Sequence, residues 1–220
     1  MDELRIVEVF DSIQGEGTRA GLPCAFVRLA GCNLHCRYCD TRYACEEPGE
    51  PASVAEMAER AGELGRRLVC LTGGEPLLQA AAVELARRLI DRGHTVLVET
   101  NGTLDITPLP PEAVRIMDVK CPASGECGKT LPGNLDALNA RDEVKFVLCD
   151  RGDFDWAAEF TRSRRLIDRC AVLMAPAEGR VSGSELCGGE LAAWILDSGL
   201  EVRLQLQLHR ILWPDRTRGV

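Results

Sequence analysis

Short apolar runs alternate with amphipathic stretches along most of the chain. The apolar runs predict strands, and they cover residues 6–10, 24–30, 68–71, 95–99, 114–119, 143–149, 171–174 and 202–208. Apolar residues at helical spacing predict helices over residues 53–67, 77–92, 154–165 and 184–198. Ser53, followed three residues later by Glu56, has the pattern of a helix N-cap. Pro, Gly and Asn dominate between residues 120 and 142, which predicts a loop with a short helix.

The alternation of strands and helices predicts the fold class. Strands separated by helices at this spacing form βα units, whose strands lie parallel in one sheet. About six or seven strands are fewer than the eight of a closed TIM barrel. We therefore expect an α/β fold, a partial (open) TIM-like barrel of about six βα units. No linker or low-complexity stretch interrupts the pattern, which predicts a single domain over residues 1–220.

Composition narrows the function classes. The chain has 220 residues, is 45% hydrophobic and carries a formal net charge of −8. An acidic chain repels phosphates, so we expect a small-molecule or protein substrate and no nucleic acid. No apolar run approaches the roughly 20 residues that span a bilayer. The acidic residues 1–5 do not resemble a signal peptide. We therefore expect no membrane contact and a cytoplasmic location.

A cysteine-rich loop follows the strand predicted at residues 24–30. The chain has 11 cysteines, which in a reducing compartment are better explained as metal ligands and buried thiols than as disulfides. Cys32, Cys36 and Cys39 have C-x3-C-x2-C spacing. Three thiolates can ligate three irons of a 4Fe–4S cluster and leave the fourth iron open. A zinc knuckle is the alternative, with His35 or Cys45 as the fourth ligand that structural zinc requires.

The loop resembles the cluster motif of the radical S-adenosylmethionine (SAM) superfamily, in which an aromatic residue precedes the last cysteine, as Tyr38 does here. The resemblance implies that the cluster cleaves SAM to a 5′-deoxyadenosyl radical and that Tyr38 lies against the adenine. Gly73, Gly74 and Glu75 follow a predicted strand and resemble the superfamily motif that binds the SAM ammonium group. The plainer alternatives are a half-buried aromatic and an ordinary Gly-Gly loop.

Five further segments are similar to one family of this superfamily, the 7-carboxy-7-deazaguanine synthases of queuosine and deazapurine biosynthesis. They are residues 12–17, 26–32, 39–41, 118–125 and 205–210. The resemblance implies a lyase that converts 6-carboxy-5,6,7,8-tetrahydropterin to 7-carboxy-7-deazaguanine and ammonia. The radical would take hydrogen from C6, the ring would contract and SAM would be regenerated. The resemblance also implies Mg²⁺, a homodimer and an electron donor such as flavodoxin or ferredoxin, which the sequence does not identify.

The same resemblance assigns roles to individual residues. Thr41 is assigned to Mg²⁺, for which a hydroxyl is a suitable ligand; an ordinary helix cap is the alternative. Substrate binding is assigned to Ile13, Gln14, Gly15, Glu16, Arg28, Thr72 and His209. SAM contacts are assigned to Tyr38, Cys39, Asp40, Gly74, Cys121, Pro122, Ser124, Ala175 and Pro176.

The side chains assigned to substrate binding suit a small acid as the substrate. Arg28 can form a bidentate pair with a carboxylate, and Gln14 and Glu16 offer donors and acceptors for a pterin edge. The alternatives are a surface ion pair for Arg28 and a plain hairpin turn for residues 14–17. We expect Gln207 and His209 to face the same side of the last strand, although a lone histidine on a strand is more often a core residue.

Proteins with two other functions share sequence features with this chain. A glycyl-radical-enzyme activating protein has the same cysteine spacing, but its substrate is a protein backbone glycine, which requires an open docking groove. Residues 14–17 and Arg28 favour a small acid substrate instead. A zinc-binding interaction module would need a second pair of ligands, and no second C-x2-C pair occurs in the chain.

Overall fold

One nine-stranded sheet organises the part of the chain that the structure, a computed structural model, describes: residues 2–177 and 186–220. The strands are β1 (Glu3–Ile13), β2 (Pro23–Leu29), β3 (Glu50–Ser53), β4 (Leu68–Gly73), β5 (Thr95–Thr100), β6 (Val114–Asp118), β7 (Glu143–Leu148), β8 (Ala171–Pro176) and β9 (Arg203–Leu204). Their order is β3-β1-β2-β4-β5-β6-β7-β8-β9. Across the described residues the sheet does not close on itself, which confirms the open, partial TIM-like barrel.

Strand β2 and strands β4 to β9 run parallel to one another, whereas β1 pairs antiparallel with both β2 and β3. Helices connect most of the parallel strands. They are α1 (Arg42–Glu46), α2 (Val54–Glu63), α3 (Ala81–Asp91), α4 (Pro132–Ala137), α5 (Arg151–Ser163) and α6 (Gly188–Ser198), and α7 (Leu208–Leu212) follows the last strand. Within the described ranges, no helix is long and apolar enough to cross a membrane.

Side chains of the parallel strands alternate between two environments. On the outer face of the sheet, residues such as Val27, Val69 and Val98 join Met57 of α2 and Leu85 of α3 in the main buried core. The inner face carries a smaller apolar cluster toward the amino ends of the strands. It comprises Phe10, Cys24, Phe26, Leu68, Cys70, Leu97, Val114 and Ile116. Burial of both faces stabilises the sheet and leaves the carboxyl ends of the inner face for polar side chains.

Most of the predicted elements are present. Ser53 is the N-cap of α2, and its hydroxyl accepts a hydrogen bond from Glu56 N at 3.1 Å, as predicted. The helix predicted over residues 77–92 begins later, at Ala81, because Pro76–Leu78 first forms a 3-10 turn. The helix predicted over residues 184–198 corresponds to α6, and residues 184 and 185 lie outside the described part.

The prediction of a long last strand was wrong. Only Arg203–Leu204 pairs with β8, and His209 lies in α7. Gln207 precedes that helix as its N-cap. Gln207 and His209 therefore do not share one face of a strand.

Competing hydrogen bonds explain where this strand ends. Gln205 N still donates to Met174 O of β8 at 2.9 Å. Leu208 N, however, donates to Gly15 O at 3.1 Å, in the loop that follows β1. An edge strand has no second neighbour to hold it in register, so bonds to this loop draw the chain away from the sheet.

Candidate active site

Five parallel strands bring polar side chains to the inner face of the sheet, near the carboxyl ends of four of them and within the fifth, β7. Side chains alternate along a strand, so these polar residues share the inner face. These are Arg28 on β2, Thr72 on β4, Glu99 on β5, Asp118 on β6 and Lys145 on β7. All five line one cavity of about 310 Å³. Ligands of α/β folds bind at this end of the strands, so the cavity is the candidate active site.

Most of the predicted site residues line this cavity. They are Gln14, Glu16, Arg28, Cys32, Cys36, Tyr38, Cys39, Asp40, Thr41, Thr72, Gly74 and His209. The cavity lining does not include Ile13, Gly15, Cys121, Pro122, Ser124, Ala175 or Pro176. Gly15 lies against His209, since a Cβ added at Gly15 would be 2.4 Å from His209 Nδ1. The structure therefore brings together the cluster, metal and most substrate candidates, and the roles of all these residues stay predictions.

The loop that begins at Cys121 lies behind the cavity wall. Cys121 and Ser124 are buried, and Ser124 Oγ donates to Cys121 O at 2.5 Å. Asp153 of α5 accepts hydrogen bonds from Ala123 N and from Cys149 N, both at 2.9 Å. This carboxylate ties the loop to the end of β7, and the sequence pattern did not indicate it.

The three cysteines of the predicted cluster loop line the cavity as free thiols. Cys32 Sγ accepts hydrogen bonds from Leu34 N at 3.5 Å and from Asn101 Nδ2 at 3.9 Å. Burial raises the pKa of Cys36 to about 11, so this thiol ionises at neutral pH only when a metal binds it. Thiols around an open cavity, with donors directed at sulfur, fit an iron–sulfur cluster.

The two candidates for a fourth zinc ligand lie in different places. Cys45 lines the same cavity as Cys32 and Cys39, and its Sγ donates to Thr41 O at 4.0 Å. His35 is exposed, and its backbone N donates to Glu126 Oε1 at 2.8 Å. Across residues 2–177 and 186–220, no three His, Cys, Asp or Glu side chains surround a point that one metal ion could occupy.

The turn at residues 73–75 packs tightly against the cluster loop. A Cβ at Gly74 would lie 2.1 Å from Gly31 O, so a side chain does not fit there. Glu75 is fully buried, and it accepts hydrogen bonds from Asn101 N at 2.6 Å and Leu77 N at 2.9 Å. Burial raises the pKa of Glu75. Glu75 therefore holds the turn in place and leaves the Gly74 backbone at the cavity, which suits the predicted SAM contact.

Thr41 occupies the N-cap position of α1, but its hydroxyl makes no capping hydrogen bond. It donates instead to Asp40 Oδ1 at 3.3 Å, and both residues line the cavity. A hydroxyl beside a carboxylate offers the oxygen ligands that Mg²⁺ prefers. Tyr38 is buried nearby and donates to Val147 O at 3.3 Å. The helix-cap alternative accounts for the position of Thr41 but not for its hydroxyl.

The Glu16 carboxylate is buried in a shell of donors, so its loop is more than a plain hairpin turn. Lys145 Nζ, Gln205 Nε2 and Gln207 Nε2 donate to it at 2.7, 2.8 and 2.6 Å. Burial opposes the ionisation of Glu16, but the ammonium of Lys145 holds the pKa of Glu16 below its ordinary value. Glu16 is therefore a fixed anion at the cavity wall.

Two buried polar atoms of cavity-lining residues lack a hydrogen-bond partner in the described part of the chain. They are Gln14 Nε2 and Asp118 Oδ1. The other oxygen of Asp118 pairs with Lys120 Nζ at 3.0 Å and more distantly with Lys145 Nζ at 3.5 Å. A buried polar atom without a partner costs about 1–3 kcal/mol. A ligand that accepts from Gln14 and donates to Asp118 would remove this cost.

Arg28 forms an ion pair, but a buried one rather than the surface pair of the alternative interpretation. Its Nε donates to Glu8 Oε1 at 2.7 Å. Its guanidinium carbon lies 5.7 Å from the centroid of the Phe10 ring and 5.8 Å from that of Tyr43. Burial alone would lower the pKa of Arg28, but Tyr43 and Glu8 raise it above its usual value. Arg28 therefore presents a charged, oriented guanidinium to the cavity.

Six charged residues of the cavity were missed by sequence reasoning: Glu99, Asp118, Lys120 and Lys145 from the parallel strands and the residues after them, and Arg210 and Arg216 from the end of the chain. Glu99 Oε2 accepts a hydrogen bond from Thr72 Oγ1 at 2.8 Å, and Lys145 contacts both Glu16 and Asp118. A signal for the first four exists in the sequence. Glu99, Asp118 and Lys120 stand near or just beyond the carboxyl end of an apolar strand, and Lys145 stands within β7. A charged side chain in such a place is costly unless it is paired or functional.

We expect Lys145→Met to destabilise the protein by about 3–5 kcal/mol, because it removes one partner of a buried ion pair and leaves the Glu16 charge uncompensated. Urea denaturation of the cluster-loaded protein at neutral pH measures this effect. Arg5→Met is the matched control, since Arg5 pairs with Glu3 and both side chains are exposed; its effect should stay below about 1 kcal/mol. Equal, small losses in both variants would contradict the role of Lys145.

Comparison with known proteins agrees with this geometry. Residues 27–171 match the Radical SAM superfamily. A 7-carboxy-7-deazaguanine synthase of Koribacter versatilis is 42% identical, with 99% of this chain and 100% of the relative covered. One of Chlorobaculum tepidum is 41% identical, with 99% and 97% covered. In fold, the chain is similar to the crystal structure of QueE from Escherichia coli, with a TM-score of 0.75, 24% identity, and 93% of this chain and 94% of that chain covered. The chain therefore belongs to the 7-carboxy-7-deazaguanine synthase family of the radical SAM superfamily.

Proposed function

We propose that this protein converts 6-carboxy-5,6,7,8-tetrahydropterin to 7-carboxy-7-deazaguanine with loss of ammonia. As a member of its family it is a radical SAM enzyme that uses a 4Fe–4S cluster, SAM and Mg²⁺. The observation that carries the proposal is that buried Arg28 and buried Glu16 line the same cavity as the three cluster cysteines. A substrate with a carboxylate and a guanidine-like edge would meet complementary groups there.

The cavity offers a ligand set for each cofactor. The residues that would hold them are Cys32, Cys36 and Cys39 for the cluster, Tyr38 and the Gly74 backbone for SAM, and Thr41 for Mg²⁺. When bound, the cluster and SAM supply a carbon radical that takes a hydrogen atom from the substrate. Holding the substrate in the right place falls to the side chains of the chain itself.

Arg28 would fix the substrate carboxylate. A planar guanidinium can receive both carboxylate oxygens, and the rings of Phe10 and Tyr43 limit its rotation. Arg28 lies on β2, and the cluster loop follows that strand directly. A carboxylate bound there would hold the adjoining ring carbon on the side of the cluster, and such positioning is the main requirement for hydrogen transfer between bound groups.

The pterin ring would be oriented by the polar atoms around Glu16. Gln14 Nε2 would donate to a ring carbonyl, and Asp118 Oδ1 would accept from a ring N–H, which gives both unpartnered atoms a partner. Lys145 keeps Glu16 ionised, so the carboxylate would remain an acceptor throughout turnover. The buried wall would also exclude water from the reacting carbon.

Anaerobic turnover with the carboxy-tetrahydropterin, SAM and a chemical reductant tests the proposal. We expect 7-carboxy-7-deazaguanine by mass spectrometry, with many product molecules formed for each SAM consumed. Tetrahydropterin without the carboxylate is the matched control substrate and should give no ring-contracted product. SAM cleavage with the pterin left unchanged would disprove the proposal, and it is the result that a glycyl-radical-enzyme activating protein would give.

Thr41→Val is expected to remove most of the stimulation of turnover by Mg²⁺. Valine has nearly the same shape but no oxygen ligand, and Mg²⁺ is held by few protein oxygens. Turnover titrated with Mg²⁺ measures the response, and SAM affinity should stay within about twofold because the cysteine loop and Gly74 remain. Thr107→Val, at an exposed threonine outside the cavity, is the control. An unchanged Mg²⁺ response in Thr41→Val would remove this residue from the metal site.

The partners of the reaction are proposals on the same footing. The family resemblance supports a homodimer, an electron donor of the flavodoxin or ferredoxin class, and a cytoplasmic location. Sedimentation of the cluster-loaded protein tests the dimer. Cluster reduction by either donor, followed by electron paramagnetic resonance, tests the electron source.

A further inference from the structure

Glu8 connects three separate parts of the molecule. It lies directly opposite Arg28 in the pairing of β1 with β2. Its Oε1 accepts hydrogen bonds from Arg28 Nε and Tyr43 Oη, both at 2.7 Å. Its Oε2 accepts one from Gly219 N at 3.2 Å. One carboxylate therefore contacts the substrate-side arginine, helix α1 and the segment that follows α7.

That segment, residues 214–220, is called the strap here. It contributes four residues to the cavity lining: Pro214, Arg216, Thr217 and Val220. The strap is fastened at Arg218, whose guanidinium carbon lies 4.2 Å from the centroid of the Tyr43 ring and which also pairs with Glu47. Tyr43 therefore carries the strap on its ring while its hydroxyl is held by Glu8.

We infer that Glu8 is a positioning residue that couples occupancy of Arg28 by the substrate to closure of the strap. The inference rests on the proposed role of Arg28 toward the substrate carboxylate. A substrate that holds the Arg28 guanidinium in one plane also holds the Glu8 carboxylate, since Arg28 Nε donates a hydrogen bond to Glu8 Oε1. The other oxygen of Glu8 is then fixed where Gly219 N donates. A docked strap acts in the reverse direction and orients Arg28 before the substrate arrives.

The strap is suited to open and close. It contains no strand or helix, and Arg216 N donates to Trp213 O at 3.1 Å in the turn where it begins. Side-chain contacts and the hydrogen bond from Gly219 N to Glu8 fasten it to the β1 and α1 region. Segments of this kind open at small cost in free energy. The strap lines the cavity that the substrate enters, so movement of the strap changes access to the site. Coupling between two sites is reciprocal: if substrate slows opening of the strap, loosening the strap must weaken substrate binding by a comparable factor.

Hydrogen–deuterium exchange of residues 214–220 measures strap opening in the cluster-loaded, anaerobic protein. In Glu8→Gln the charge is lost and an amide N–H₂ competes for the position that Gly219 N requires. We expect exchange in the strap to rise about tenfold or more in this variant. Adding 6-carboxy-5,6,7,8-tetrahydropterin should slow strap exchange in the unmodified protein but not in Glu8→Gln. Glu3→Gln is the control, because Glu3 stands on the same strand in an exposed ion pair with Arg5.

Arg218→Ala tests the reverse direction. It unfastens the strap from Tyr43 and Glu47 without touching Glu8 or Arg28. The dissociation constant of the pterin should rise by about the factor by which pterin slows strap exchange, and SAM affinity should not change. Pterin binding that is unaffected by Arg218→Ala would overturn the coupling, as would equal protection of the strap by pterin in Glu8→Gln and the unmodified protein.

The inference and the proposed function fail in different ways. If the pterin does not bind the unmodified protein, the proposed function is wrong. In that case, hydrogen–deuterium exchange of the strap without any ligand still tests Glu8. Faster exchange in Glu8→Gln than in Glu3→Gln supports the contact between Glu8 and the strap as the one that holds the strap closed, and equal exchange overturns it. Circular dichroism of both variants confirms that the fold is retained.

Discussion

Replacing Cys36 by alanine is expected to remove the 4Fe–4S cluster and reduce SAM cleavage below detection. Cluster retention depends on three thiolates, and Cys36 is the middle one of the loop. Iron and sulfide analysis, the visible absorption of the cluster and 5′-deoxyadenosine formation measure the effect. The fold should survive, because Cys36 packs only in a small cluster with residues such as Leu34 and Val147.

Cys170→Ala is the matched control for this substitution. Cys170 is as buried as Cys36, at 7% against 8% exposed, but it belongs to the main core and not to the cavity. The same atoms are removed in both variants, so any general cost of the deletion appears in both. Normal 5′-deoxyadenosine formation in Cys36→Ala, or equal loss of iron in the two variants, would contradict the cluster assignment.

Arg28→Ala is expected to lower kcat/KM for the pterin about 30- to several-thousand-fold, since losing a buried, charged hydrogen bond costs on the order of 2–5 kcal/mol. Arg28→Lys keeps the charge but loses the planar fork, so it should also weaken turnover, though less. SAM affinity should hardly change in either variant, because the cysteine loop and the Gly74 turn remain. Separate titrations of SAM and pterin against both variants measure these effects.

Arg66→Lys is the control for the loss of a planar guanidinium at a site outside the cavity. Arg66 binds both oxygens of Asp11, at 2.7 and 2.5 Å, but on the surface and away from the cavity. Turnover should be unchanged in this variant. If Arg28→Ala lowers SAM affinity and leaves pterin affinity intact, Arg28 belongs to the cofactor site. If neither affinity changes, the ion pair with Glu8 is structural only.

The local sequence pattern was sufficient to predict those elements whose signal lies within a few neighbouring residues. The period-2 and helical periodicities located every strand of the parallel sheet and the longer helices, because burial of one face dictates that spacing. Strand β3 and helices α1 and α7 were missed, and each is too short, at four or five residues, to complete a recognisable pattern. The last strand was overextended, because no local signal shows that residues 14–17 compete for its hydrogen bonds.

The sequence by itself determined the cluster loop, the glycine turn, the order of βα units and, through its resemblance, the family. These depend on spacing within one loop or on the repeat of one element. Only the tertiary structure decided which charged groups meet. Lys145 and Glu16 are 129 residues apart, and Glu8 and Gly219 are 211 apart. The order of strands in the sheet brings such residues together, and burial makes each charge depend on its partner. Neither the strand order nor the burial can be inferred from the residues that flank each charge.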